Sequence, residues 1–349
     1  MINFKLDISP SILNLIAEID EFKGTWKLLE NLSPEKLVSL RRVATIESIG
    51  SSTRIEGSKL SDAEVEQLLA GLQIHSFKSR DEEEVAGYAE CMNLVFDSYT
   101  DISLTINHIK QLHKTLLKFS TKDERHAGDF KKLSNDVAAF DQDGKMIGII
   151  FQTATPFDTP RLMDELLDWT SVALRSRELH PLLIVAVFIV HFLAIHPFQD
   201  GNGRLSRILT TLLLLQAGYV YTPYVSLESI VEKNKDSYYA ALRKSQVTIR
   251  TEAYNVEPWV AFFLKTLVSH KNRLLQKVET EKALEVISEL SASILTLIKS
   301  RGKLTLSEAA LALDKNKRTV KDHISKLVKD KHLKMNGIGK ATFYTLEGK

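Results

Sequence analysis

Apolar residues recur at three- and four-residue spacing along most of this chain, which predicts a mainly helical fold. The stretches SPSILNLIAEIDEFKGTWKLLENL, PEKLVSLRRVATIESIGSS and SDAEVEQLLAGL open the series, and Ser61 with Glu64 forms a capping-box pair at the start of the third. Helical periodicity continues through EEEVAGYAECMNLVFDSY, TINHIKQLHKTLLKF, TPRLMDELLDWTSVALRS, KDSYYAALRKSQ and the segment beginning EPWVAFFLKTLVSH. One region breaks the period. NDVAAFDQDGKMIGIIFQTATPFDTP places β-branched and aromatic residues on both sides of Asp143-Gly144, a hairpin-turn signal, and a lone hairpin in a helical protein reads as an exposed flap.

The last 65 or so residues change character. Three short helical patterns end in KMNGIGKATFYTL, which alternates around Gly337 and Gly339 as a terminal hairpin does, so the tail predicts a winged helix-turn-helix. Lys and Arg outnumber Asp and Glu there by about two to one. That bias makes DNA a candidate partner, although the same fold also binds proteins.

Composition excludes more than it identifies. The formal charge of +2 over 349 residues demands neither a nucleic acid nor a membrane surface. The single cysteine, Cys91, excludes an intramolecular disulfide and a multi-cysteine metal site. The most apolar run, HPLLIVAVFIVHFLAIHPF, is interrupted by His191 and is too short to span a bilayer, so it predicts a buried helix. With no signal-peptide pattern at the start, the expectation is a soluble, cytoplasmic protein without membrane contact.

That apolar run meets another, ILTTLLLLQAG, across the polar dozen HPFQDGNGRLSR at residues 196–207. Gly201 and Gly203 permit a tight turn whose N–H groups open a helix near Asn202, where the dipole favours an anion. Arg204 and Arg207 carry forked donors for phosphate oxygens. Asp200 is placed to hold Mg²⁺ bridging phosphates, and His196 can take a proton from a hydroxyl near neutral pH. Phe198 reads as a buried anchor for the loop. Together these residues predict a site that grips a di- or triphosphate and activates a nucleophile against it. The sequence is neither a GxxxxGK[ST] loop nor a zinc ligand set.

HPFQDGNGRLSR matches HPFx[DE]GNGRxxR at every defined position, and the chain resembles the Fic family over approximately residues 86–272. The resemblance implies a Fic-type helical bundle with a β-hairpin flap, preceded by a helical region at 1–85 and followed by the linker helix and tail at 273–349. It implies transfer of AMP from ATP to a Ser, Thr or Tyr hydroxyl of a protein, with Mg²⁺ as cofactor. His196 would be the general base and Asp200 the Mg²⁺ ligand. Gly201, Asn202 and Gly203 would form the anion hole, and Arg204 and Arg207 would orient the phosphates. The flap at 133–155 would hold the target segment. Tyr238 or Tyr239 would help enclose adenine, with Gln246 where many relatives have Asn. GDFKKL departs from the family's usual G-x-Tyr-Arg, having Phe130 and Lys131 instead.

A second element, SSTRIEG, ends the second helical pattern. Ser52 and Glu56 lie four apart on one helix face, and Gly57 can end the helix in a left-handed turn. These three residues match the [ST]xxxE[GN] inhibitory motif of regulated Fic proteins. By that resemblance Glu56 would pair with Arg207, misorient ATP and silence the enzyme, with self-modification or dimerisation as possible routes of release. A nucleotide-sensing transcriptional regulator acting through the winged helix is the competing reading.

Overall fold

The computed structural model describes residues 8–29, 34–71, 77–140, 146–285, 289–337, 339 and 342–347. The chain divides into two compact units, residues 1–274 and 275–349. No described helix is long and apolar enough to cross a membrane.

The first unit is a helical bundle. Helices α1 (Pro10–Leu29), α2 (Pro34–Ile55), α3 (Asp62–Ala70), α4 (Arg80–Ser98) and α5 (Ile106–Leu116) precede a two-stranded antiparallel hairpin, β1 (Val137–Phe140) with β2 (Met146–Phe151). The expected Asp143-Gly144 turn lies outside the described residues. Then follow α6 (Thr159–Ser176), α7 (Pro181–Ile195), α8 (Asn202–Gln216), α9 (Leu227–Lys233), α10 (Lys235–Gln246) and the first part of α11 (Glu257–Glu285), within which the unit ends. The short α9, capped by Ser226, was not foreseen from periodicity.

Helix α7 is the axis of this unit, and every residue from Leu182 to Ile195 is buried. A helix apolar on all sides has no solvent face and must be enclosed. It packs against α6, α8 and α10. The one polar side chain along it, His191, is satisfied by the Tyr254 hydroxyl at 3.0 Å. Helix α8 is buried from Leu205 to Leu215, so the turn joining α7 to α8 is clamped at both ends by core packing. Helix α2 lies against α9, α4 and α8, which brings the SSTRIEG end of α2 to the start of α8. The Ser61–Glu64 capping box is formed at the head of α3.

The second unit contains α12 (Glu289–Arg301), α13 (Leu306–Ala312), α14 (Lys317–Lys329) and an antiparallel pair, β3 (Leu333–Asn336) with β4 (Phe343–Leu346). Ile294, Ile298, Ala309, Val320, Ile324 and Leu333 form its core. Leu304 exchanges backbone hydrogen bonds with Tyr344, at 3.0 and 2.8 Å, adding a third short pairing beside β4. Thr305 and Glu308 close a capping box that starts α13.

Candidate active site

The turn between α7 and α8 is built from two left-handed residues. Gly201 has φ 78° and caps α8. A side chain there would meet both the strain of that φ and the neighbouring Leu116 and His113. His196 ends α7 at φ 54°, ψ 59°, a conformation that non-glycine residues adopt at a cost of about 1–2 kcal/mol. Its Nδ1 lies 3.3 Å from the Leu193 carbonyl. That contact assigns the proton to Nδ1 and leaves Nε2 as the basic nitrogen. Burial pushes this imidazole down to about 4, so it is neutral near pH 7.

Three groups fix the turn from behind. Asn202 sends its side chain back to Phe198, donating to the carbonyl at 2.7 Å and accepting from the N–H at 2.9 Å. Its side-chain amide is thereby committed to the loop. Phe198 is fully buried and stacks on His113, ring centroids 3.8 Å apart. His113 accepts from the Gly128 N–H at Nδ1 (2.9 Å), so its Nε2 donates to the Asp200 carbonyl at 3.0 Å. Burial pushes His113 down to about 4, which keeps it in that neutral, bridging form.

The GDFKKLSN segment supplies a further support. The Lys131 ammonium donates to Asn135 Oδ1 (2.7 Å), Thr153 Oγ1 (2.9 Å) and the Ile195 carbonyl (3.1 Å). Asn135 donates to the carbonyls of His196 and Phe198, at 3.2 and 2.6 Å. Arg250 reaches the carbonyls of Thr153 and Ala194. Burial lowers Lys131 to about 8, still mostly charged at neutral pH. Residues at the base of the hairpin and the end of α7 are thus tied through one lysine.

Arg204 and Arg207 leave the first turns of α8 toward different partners. The buried Arg204 pairs with Glu84 of α4 at 3.0 Å and with Asp200 at 3.3 Å. Burial alone would raise the Asp200 carboxyl, but Arg204, the Gly201 N–H and Arg80 hold it below the usual carboxylate range. Arg207 points to the end of α2. Its Nε donates to Ser52 Oγ (2.8 Å), and one terminal nitrogen reaches the Ser52 carbonyl (2.9 Å) and Glu56 Oε1 (2.8 Å). Burial is the largest single influence on Arg207 and opposes its charge, but Glu56 together with Tyr238 and Tyr88 outweighs it and raises the pKa above the ordinary arginine value. The same Glu56 oxygen sits over Gly203, where a Cβ would collide with it. Gly57 follows with φ 111°, turning the chain away from α2.

A cleft of about 700 Å³ collects these groups. His196, Asp200 and residues 201–204 form one end, with Glu56 beside them; Tyr238, Tyr239, Leu242 and Gln246 line the other. Tyr238 is buried, packed edge-on against Trp259 with centroids 5.7 Å apart, and its hydroxyl faces Arg207 and Ser206. Tyr239 is the more accessible ring.

Among the described residues no cluster of three His, Cys, Asp or Glu side chains could hold a metal unaided. Asp200 is a partly exposed carboxylate on the cleft, its side chain 37% accessible. One such group suits Mg²⁺, which keeps water and takes its remaining oxygens from phosphates.

Of the residues singled out in the sequence, Glu56, His196, Asp200, Gly201, Asn202, Gly203, Arg204, Tyr238 and Tyr239 line the cleft, Arg207 and Ser52 do not, and Phe198 is the buried anchor expected of it; several other supporting residues carry no motif. His113 left a signal: it interrupts the apolar stripe Ile109, Leu112, Leu116 on α5. Asn135 and Thr153 flank the hairpin that the sequence predicts, but Arg250 lies in a segment with no periodicity, and nothing in the sequence joins it to them.

The family model described as Fic/DOC matches residues 103–214. Among curated relatives, a protein adenylyltransferase Fic from Drosophila grimshawi is 26% identical over 316 residues, covering 83% of this chain and 61% of its own length. Another of the same name, from Drosophila willistoni, is 29% identical over 205 residues, 58% of this chain and 37% of the relative. The chain therefore spans less than two thirds of either. In architecture it is similar to a Fic family protein from Desulfovibrio desulfuricans G20, with TM-score 0.63 and 24% identity over 99% of this chain and 98% of that one. A Fic domain-containing signaling protein from Bacteroides thetaiotaomicron gives TM-score 0.62 and 24% identity, covering 75% and 97% respectively.

Proposed function

We propose that this chain, whose residues 103–214 match the Fic/DOC family model, is an autoinhibited protein adenylyltransferase, moving AMP from ATP to a hydroxyl of a protein. The observation that carries this reading is a shared cleft: His196, the glycine-rich start of α8 and Tyr239 all line it.

In this reading the triphosphate lies on the N–H groups that open α8, with the helix dipole behind them. The protein hydroxyl approaches along the hairpin, paired strand-like with its edge. His196 Nε2 takes the hydroxyl proton as the oxygen bonds to the α-phosphorus. The bond to the β-phosphate oxygen breaks, and pyrophosphate leaves. A positioned base of this kind contributes roughly 10²–10⁴-fold. Asp200 would hold Mg²⁺, whose charge would neutralise phosphate oxygens. Tyr239 and Gln246 would face the nucleobase.

Glu56 acts as the inhibitor by occupying both the Arg207 guanidinium and the space over Gly203. A triphosphate seated over the same glycine meets a carboxylate there, and a displaced α-phosphate loses the in-line geometry on which the rate depends.

Incubating the Glu56→Gly protein with ATP labelled at either end tests the activity. Label from the α position should enter protein, label from the γ position should not, and His196→Ala should abolish the α-label transfer. Transfer of the γ label would replace this reading with a kinase.

A second reading rests on the other unit. Lys315 just before α14, Lys317, Arg318 and Lys321 in its first turns, and Lys334 on β3 are all exposed. Such a helix and hairpin suit duplex DNA as a winged helix, and a His196→Ala protein that still binds one DNA sequence with a steep salt dependence would support a regulator.

A further inference from the structure

Asp200 belongs to a closed ring of four alternating charges, and its two oxygens have different partners. Oδ1 faces inward, accepting from the Gly201 N–H and lying 3.3 Å from the buried Arg204. Oδ2 is held by the more exposed Arg80 at 2.7 Å, on a residue that lines the cleft. The ring closes through Glu84, which accepts from Arg80 Nε at 2.8 Å and pairs with Arg204 at 3.0 Å. Arg80 stands at the start of α4, just past its Ser79 cap, and also lies 3.7 Å from Asp123. The two arginines differ in accessibility: the Arg204 side chain is 2% exposed and that of Arg80 41%.

We propose that Arg80 is a positioning residue that gates the metal carboxylate, occupying the Asp200 oxygen a divalent cation would take and yielding it when the cation binds. Oδ1 is tied to backbone and to a buried guanidinium, so the cation's access is through Oδ2. Arg204 cannot move aside without leaving a buried charge, whereas the more exposed Arg80 can release Oδ2 and keep Glu84 and Asp123 as partners. Exposed ion pairs are weak, so the gate shifts the cation requirement without blocking it. The identity of the physiological cation–nucleotide pair rests on the adenylyltransferase reading; the competition at Asp200 does not.

Mn²⁺ alone, titrated without nucleotide and followed by electron paramagnetic resonance, tests the competition in the Glu56→Gly background. Arg80→Ala should bind Mn²⁺ about threefold more tightly than its parent, the scale set by an exposed ion pair. Arg80→Lys should fall between, and Asp200→Ala should lose the site. Equal Mn²⁺ affinity with and without Arg80 overturns the proposal, as does tight Mn²⁺ binding that survives Asp200→Ala. A parallel Mg²⁺ titration at saturating ATP separates a structural role. Loss of folding quality weakens ATP binding in chelator and in Mg²⁺ alike, whereas a gate lowers the Mg²⁺ midpoint. If no variant binds ATP, the adenylyltransferase reading falls while the Mn²⁺ result still decides the gate.

Discussion

The Glu56 carboxylate lies 2.8 Å from the Arg207 guanidinium and directly over the α-carbon of Gly203. One side chain just past the end of α2 therefore covers two features of α8 that an anion would otherwise use. Ser52, one turn earlier, supplies the other two contacts to Arg207. Glu56→Gly should give the larger rise in AMP labelling. Ser52→Ala should give a smaller one, because it removes the hydroxyl contact and keeps the backbone carbonyl. Initial rates of α-labelled ATP incorporation check the ranking; equal rates in both variants and wild type would refute inhibition by this contact.

Gly203 offers a double-mutant test. In wild type, Gly203→Ala pushes Glu56 off Arg207 and should cost about 1–3 kcal/mol, the range for leaving a buried charged group short of a partner. With Glu56→Gly the collision is gone, and alanine near a helix start should instead gain about 0.5–1 kcal/mol. Urea unfolding of the four proteins reads the change of sign.

Helix α2 is held in place by Arg54, which forks onto Glu232 of α9 at 2.7 and 3.0 Å and reaches Asp62 at 2.9 Å. Arg54→Ala should loosen the end of α2 and raise labelling with Glu56 still present, though less than Glu56→Gly does. An unchanged rate would show that packing alone fixes the helix.

Lys131→Met should remove the hydrogen bonds to Asn135, Thr153 and Ile195 together. In the Glu56→Gly background, labelling should fall by as much as about 10²-fold through misplacement of His196. ATP affinity, measured by calorimetry, should hold. A parallel loss of affinity would place Lys131 in nucleotide binding instead.

Three imidazoles make the fold acid-sensitive. Burial pushes His113, His191 and His196 each down to about 4, whereas in the unfolded chain they titrate near the ordinary histidine value of about 6.5. The unfolded state therefore takes up protons first as pH falls. Their contribution is complete above about pH 6.5 and is lost progressively toward pH 4, at up to about 1.4 kcal/mol per pH unit for each. His113→Gln should make the urea-midpoint profile shallower across that window. The labelling rate should keep its neutral-base value well below pH 6.5 and fall only as pH nears 4.

The sequence exposed what depends on local pattern. A helix without a polar face, such as α7, has to be enclosed, and residues four apart, such as Ser52 and Glu56, have to share a side. Proximity across the fold left no such trace. Lys131 and Arg250 meet the end of α7 only because distant segments fold back on it. Arg80 and Asp200 are 120 positions apart, and no period connects them. The seven-residue α9 is too short to establish a repeat and is defined by its cap.

The left-handed turn at His196 carries a consequence for how such a chain can change. Helix ends of this geometry favour glycine, so the backbone is more comfortable with the imidazole gone. Substitutions that relax the strain there make a sturdier protein and a chemically inert one. Drift toward a more robust fold would erode the reactive group at its tightest bend first.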